Sequence, residues 1–285
     1  VMEGTGMDQM LEDYGVAIVD FNEGSTVSYP QGHTAKEFFL AKPVQETDAL
    51  INLCKMKTHA LERVTGGVKN LYGCISGLHK AKGHTKYTNA DIFARQLIDL
   101  NQLIKPRFCV MDGIVAMDGN GPTSGDPVKM KVLLLGNDPV AIDSVYCHLV
   151  HLDPQMVPTN VHGETMGLGT WREENIRLLT DGGEITMQEA VERFGNPDFN
   201  VDRKKQRGNL WNRFNNGFLR YFQKKPYIEE DKCKKCGVCV EACPVEGKAL
   251  QFKNGRRKPP VYNYHKCIRC FCCQEMCPHK AIQVK

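Results

Sequence analysis

Two runs of cysteine close the chain. Cys233, Cys236, Cys239 and Cys243 are followed by Pro244, and Cys267, Cys270, Cys273 and Cys277 by Pro278. The intervals within each run are two, two and three residues. Four thiolates hold one 4Fe–4S cube, so eight cysteines in two such runs predict two 4Fe–4S clusters. Zinc sites take their ligands as two pairs, and neither the triple nor the proline belongs to that pattern. Disulfides belong to oxidising compartments and small secreted folds. One thiol is surplus: Cys272 sits between two ligands but off register. It is read as a buried or outward thiol without a ligand role, with a spare ligand or a redox-labile thiol as the alternative.

Residues 227–285, which carry both runs, resemble the two-cluster bacterial ferredoxin fold, a small α+β domain with two ligand-bearing halves. The resemblance implies that the fourth cysteine of each run ligates the other run's cube. Cys233, Cys236, Cys239 and Cys277 would then hold cluster 1, and Cys267, Cys270, Cys273 and Cys243 cluster 2. The first half, "CPVEGKALQF", carries a longer stretch after its fourth cysteine than "CPHKAIQV", which predicts a different loop and the same ligation.

The preceding residues, 1–201, alternate short apolar runs with helical periodicity. That pattern predicts an α/β body, layered on a mostly parallel sheet. "GVAIVDF" (15–21), "ALINLC" (49–54), "RFCVM" (107–111) and "KVLLLG" (131–136) read as strands, and "MDQMLEDY" as a helix. A helix is expected over 89–105, with Asn89 as N-cap and Pro106 as its stop. Another is expected over 138–152, with Asp138 as N-cap and Pro139 in the first turn. Ligands of open α/β sheets bind beyond the carboxyl ends of strands. The residues following these strands are Lys55, Lys57 and His59; then Asp112, Asp118 and Asn120; then Asn137 and Asp138. "TGGVKNLYGCISGLHKAKGH" adds Lys69, Asn70, His79, Lys80 and His84. Lys55, Lys57, Lys69, Asn70, His84 and Asn120 are therefore candidates for holding a small anion. His59, Lys57, Lys69 and Asp112 are candidates for catalysis, because an imidazole titrates near neutral pH and ammonium groups attract carboxylate or phosphate. The backbone around Gly66 and Gly67 could add N–H donors. Lysines on a solvated strand end and an Asx turn at Asp112 are the plainer readings.

"KMKTHALERVTGGVKNLYG", "DGIVAMDGNGPTSGDP" and "NDPVAIDSV" resemble the signature stretches of domain-of-unknown-function family 362, over roughly residues 10–180. Members of that family often carry the same ferredoxin tail, and the resemblance implies no settled activity. They usually extend further at the N-terminus, so a truncated start is expected here. The glycines of "GNGPTSG" mimic a dinucleotide loop, but Pro122 interrupts it and a strand follows where the phosphate-binding helix would begin. His148 and His151 read as surface or core residues, His162 and Glu164 as a further loop over the same edge. Cys54 and Cys74 read as small core residues.

Between the two parts, residues 202–226 are basic and amphipathic. Trp211, Phe214, Phe218 and Phe222 share one helical face, expected to dock internally, with an interfacial anchor as the alternative. The net charge of +4 is too small to argue for nucleic acid, and no apolar run approaches the roughly 20 residues of a membrane span. Nine of thirteen cysteines lie after residue 232, which points to a reducing, cytoplasmic setting. The leading expectation is an iron–sulfur oxidoreductase that passes electrons from two 4Fe–4S clusters to a small anionic substrate bound at the body. Its partners would be a redox protein or low-potential electron donor, with neither nucleic acid nor a membrane surface. Two readings remain beside it: an electron-transfer adaptor whose body docks partners, and a non-redox enzyme with a structural or regulatory tail.

Overall fold

The computed structural model describes residues 7–75, 79, 83, 87, 89–204, 224–253 and 255–284. Helix α1 (Met7–Asp13) precedes a hairpin of β1 (Gly24–Ser28) and β2 (Glu37–Ala41) and the short α2 (Lys42–Glu46). The central sheet contains β3 (Ile51–His59), β4 (Arg63–Thr65), β5 (Phe108–Asp118), β6 (Asp126–Val128) and β7 (Val132–Gly136). Helix α3 (Gly67–Asn70) follows β4, and α4 (Ala90–Ile104) leads into β5. Helices α5 (Pro139–Leu149) and α6 (Pro158–Thr165) follow the sheet, then the β8–β9 hairpin (Leu178–Thr180, Gly183–Ile185) and α7 (Met187–Phe194). The tail contains β10 (Pro226–Ile228), α8 (Val238–Glu241), β11 (Leu250–Gln251), β12 (Val261–Tyr262), α9 (Cys272–Glu275) and β13 (Ile282–Val284).

Local signals placed the long helices well. Asn89 caps α4 by accepting from Asp91 N, and Lys105 ends it in the left-handed region just before Pro106. Asp138 caps α5 by accepting from Val140 N and Ala141 N. The expected mostly parallel sheet is corrected. β3 and β5 are parallel, but β4 pairs antiparallel with β3, and β6 and β7 pair antiparallel with β5. Residues 60–62 join β3 to β4, and 119–125 join β5 to β6; links this short cannot make the crossover a parallel pair requires, and β7 continues in the direction of β6. The expected strand at 15–21 is absent too. Val16, Ile18 and Val19 are exposed, because strand propensity without an edge to pair with makes no strand.

One face of the sheet is packed. Cys54, Met56, Cys109, Met111 and Val132 join Ile142, Val145, Tyr146 and Phe199 in the main core. A second core gathers Tyr72, Phe93, Leu97 and Val140. On the opposite face Ile51, Leu53, Phe108, Leu133 and Leu135 are exposed, and it is bare among the described residues. Strand alternation explains both faces, since successive residues of β3 point to opposite sides.

Candidate functional site

In the tail the two halves wrap two groups of four thiols. Cys233, Cys236, Cys239 and Cys277 line one hollow, closed by Ile228, Pro260 and Ile282. Burial, then the neighbouring Cys277, Cys233 and Cys236, push the Cys239 thiol up to about 11. Cys243 packs instead with Cys267, beside Ala249 and Tyr264. Burial is the main cause raising Cys267, and Cys270 and Cys243 add to it. Among the described residues no three ligand-type side chains converge tightly enough to hold a single metal ion. The first four surround a hollow, the arrangement a multi-iron cube requires. Gly237, at φ 92°, turns the first loop, and Phe271 at φ 60° holds the matching place in the second. The residues present fit two cubes, with the fourth cysteine of each run crossing to the other half's triple.

Cys272 acquires a role that spacing alone concealed. It is buried at the start of α9 and its thiol is hydrogen-bonded to Cys270, which lowers Cys270 and raises Cys272. With Cys270 ligating iron as a thiolate, Cys272 S–H is the side able to donate and the ligand sulfur the acceptor. Tyr262 Oη stands 3.2 Å from Cys273 Sγ in a parallel arrangement. Hydrogen bonds to ligand sulfurs favour the more negative, reduced cube and raise its potential. Replacing Cys272 by alanine should leave iron content unchanged and lower one of the two potentials by some tens of millivolts. That is on the order of 1 kcal/mol of lost differential stabilisation, at 59 mV for each tenfold change. Redox titration followed by EPR measures it; loss of iron would show Cys272 to be a ligand.

The tail is clasped to the body by α9. Gln274 Nε2 donates to Asn120 O, Asn120 Oδ1 and Gly121 O at 2.9–3.1 Å. Thr123 Oγ1 donates to Glu275 O at 2.9 Å, and Asn120 Nδ2 to Ile282 O at 3.1 Å. "GNGPTSG" is thus a docking loop. Its Gly121 passes so close to Thr58 that a Cβ would stand 2.3 Å from the Thr58 carbonyl oxygen. Asn120, expected to hold substrate, holds the tail.

His59 belongs to the same seam. Its side chain is 0% exposed, and Nε2 lies 3.0 Å from Glu275 Oε1. Nδ1 accepts from Leu61 N and Glu62 N, both at 3.1 Å, so the ring proton sits on Nε2 and is donated to Glu275. Burial, then the charge of Lys69, drives the imidazole down to about 4, outweighing the opposite pull of Glu275. A neutral, clasped ring positions groups; it is not the near-neutral acid–base expected of it.

The charges of Lys69 and Lys57 both lower His59, so the three stand within electrostatic reach of one another. Lys55 does not join them. Its Nζ pairs with Asp112 Oδ2 at 2.5 Å on the exposed sheet face. The β3–β5 ladder slips between Lys55, opposite Asp112, and Lys57, opposite Met117. The extra residues lie on β5, so the two lysines keep one face of β3 and differ in their neighbours: Lys55 is held by Asp112, and Lys57 is not opposite it. Asp112 is accounted for by Lys55 and by accepting from Ile114 N, the Asx-turn reading. Asn70 donates to Asn52 Oδ1 and Leu53 O, tying α3 to β3. Asn137 and Asp138 arrive at the wrong end, because antiparallel β7 finishes beside Cys109 at the start of β5. The Gly67 and Val68 N–H groups are taken by Asp143 at 2.5 and 3.1 Å, so this turn offers them to no ligand. Asp118 accepts from Asn200 N. His84, Lys80 and the aromatic face at Trp211, Phe214, Phe218 and Phe222 lie outside the described residues.

Sequence reasoning passed over two residues here. Glu62 is 0% exposed, and among the described residues neither carboxyl oxygen has a hydrogen-bond partner. Burial pushes it up to about 8 against the pull of Lys69, with Asp91 adding to the rise. Tyr72 is buried in the field of Cys272, Glu275 and Cys270. A charged residue in a turn immediately before a strand gives no hint of its burial in sequence. Only the β3–β4 hairpin folds it inward.

A fold with two four-thiol loops docked through a helix onto an α/β body defines an iron–sulfur protein with an attached ferredoxin-like domain. The chain belongs to the family described as "Domain of unknown function (DUF362)", matched over residues 1–148, and residues 225–278 match a 4Fe-4S dicluster domain. The dicluster match supports two 4Fe–4S clusters and, with them, iron–sulfur electron transfer. The "Thylakoid-associated protein sll1697" of Synechocystis sp. (strain ATCC 27184 / PCC 6803 / Kazusa) is 35% identical over 188 residues, 66% of this chain and 58% of its own length. The chain thus spans a little over half of that relative. Among the described residues no helix is long and apolar enough to cross a membrane.

Proposed function

We propose that this chain is an iron–sulfur oxidoreductase acting on a small anionic substrate beside the seam between body and tail. The observation that carries the reading is the clasp of α9: the helix that carries Cys273 rests on His59, which feels the charges of Lys69 and Lys57. When bound, the two cubes supply electrons one at a time. The protein supplies the rest. Lys57 and Lys69 attract the anion. His59 and Glu275 fix the floor of the site through one hydrogen bond. Glu62, protonated at neutral pH, is the group able to release a proton there. Its carboxyl replaces the His59 imidazole in the role of acid. Eight cysteines kept for iron and no disulfide among the described residues support a reducing, cytoplasmic setting for this work. The adaptor reading keeps one specific observation in its favour, the apolar sheet face that is bare among the described residues.

The test uses the protein with both clusters loaded and photoreduced. A panel of small carboxylates and oxyanions is added, and reoxidation is followed by visible absorbance. Lys69→Met and Lys57→Met should slow reoxidation by the active compound about 10–100-fold, the scale of one well-placed charge in a partly buried site. Lys55→Met, at a lysine already paired with Asp112, should not. Equal rates in all three variants favour the adaptor.

A further inference from the structure

The two thiol groups are unequally placed. The second run meets the body through Gln274, which donates to Asn120 and Gly121, and Cys272 and Cys273 beside it are buried. The first run does not: the hollow of Cys233, Cys236, Cys239 and Cys277 is walled by tail residues alone. Its ionisable neighbours besides the thiols are Lys234, Lys235 and His279, with no carboxylate in the wall. Lys234 and His279 are exposed. The Arg256 guanidinium lies against Gly237 of the same loop, 3.1 Å from where a Cβ would stand. Arg257 and Lys258 follow it, both exposed, just before Pro260. The acidic stretch Glu229 to Asp231 precedes this rim, and its Glu229 is tied to Lys232 at 2.6 Å.

We infer that this rim is the docking face for an acidic, one-electron carrier protein, so that the tail has a partner end at Cys233–Cys239 and a body end at α9. Charge complementarity selects the occupant. A positive rim around an exposed redox group speeds encounter with an acidic partner and sets its orientation, and the gain is lost in salt. The exchange is a single electron: the reduced carrier loses one, the tail gains one, and no bond or proton moves. This inference takes the electron-transfer part of the reading above as given and is independent of what the body reduces.

The experiment measures binding, not turnover. The cluster-loaded protein is titrated with an acidic flavodoxin at 20 and 200 mM salt, by calorimetry. Wild type should bind at low salt and weaken about tenfold or more at high salt. Lys234→Glu/Lys258→Glu should weaken low-salt binding at least tenfold. Lys266→Glu, an exposed charge reversal beside the second run, should leave it within about twofold. Photoreduction of each variant by a small flavin should give the wild-type change in absorbance, which shows the clusters intact. Salt-independent binding, no binding at low salt, or an equal loss in Lys266→Glu overturns the partner face. None of these outcomes bears on Lys57, Lys69 or Glu62, so failure here is distinguishable from failure of the body site.

Discussion

Cys243→Ala should halve the iron of the reconstituted protein, from about eight to about four per chain, and the cube it removes should be the one encircled by the other run. Double variants separate crossed from uncrossed ligation. If Cys243 shares a cube with Cys267, Cys270 and Cys273, then Cys243→Ala/Cys270→Ala retains about four irons, because both changes strike one site. Cys243→Ala/Cys236→Ala then retains almost none. If each run holds its own cube, the two results are exchanged. The structure favours crossing because Cys243 packs with Cys267, while Cys277 lines the hollow of Cys233, Cys236 and Cys239. Iron and acid-labile sulfide analysis reads the outcome directly, and the non-additivity of paired changes carries the information.

Glu62→Gln should flatten the dependence of stability on pH above neutrality. The carboxyl stands at about 8 in the folded chain and at 4.5 when exposed. Below pH 4.5 it is protonated in both states and makes no difference. As pH rises from 4.5 to about 8, the unfolded chain releases this proton and the folded chain keeps it, so stability falls. Each unit of pH removes about 1.4 kcal/mol, and over the window the loss is roughly 3–5 kcal/mol. Above pH 8 the folded group ionises and the loss stops growing. Glutamine is neutral and similar in shape, so the variant should be the more stable protein at pH 8. His59 has the opposite sign and acts only between 6.5 and about 4, where its folded form resists the proton that the unfolded form accepts. Asp143, raised by burial to about 7, titrates in both proteins alike and cancels in the difference. Thermal unfolding between pH 6.5 and 8.5 therefore isolates Glu62. Parallel slopes for wild type and variant would falsify the burial of an uncompensated carboxyl.

Elements whose instructions are local were legible. Asn89 and Asp138 each cap the helix that follows through backbone N–H groups two or three residues on, and Pro106 stops α4 by chemistry confined to its neighbours. The cysteine runs were legible for the same reason, since each triple wraps its own loop. The sheet was not. Whether β7 lies parallel or antiparallel to β5 depends on a partner twenty residues away, and that choice moved Asn137 and Asp138 to the opposite end.

The sequence by itself determined the iron–sulfur chemistry, the two-part organisation and the residue types available for a site, because spacing and capping act over a few residues. The tertiary structure alone decided which of those residues meet. It drew His59 and Asn120 under the tail, left Lys55 to Asp112 across a bulged ladder, and spent the Gly67 N–H on Asp143. It also buried Glu62, whose position in a turn gave no sign of it. The reason is physical: hydrogen-bond partners and burial are set by contacts between segments far apart in the chain, and burial changes the protonation of the groups it encloses.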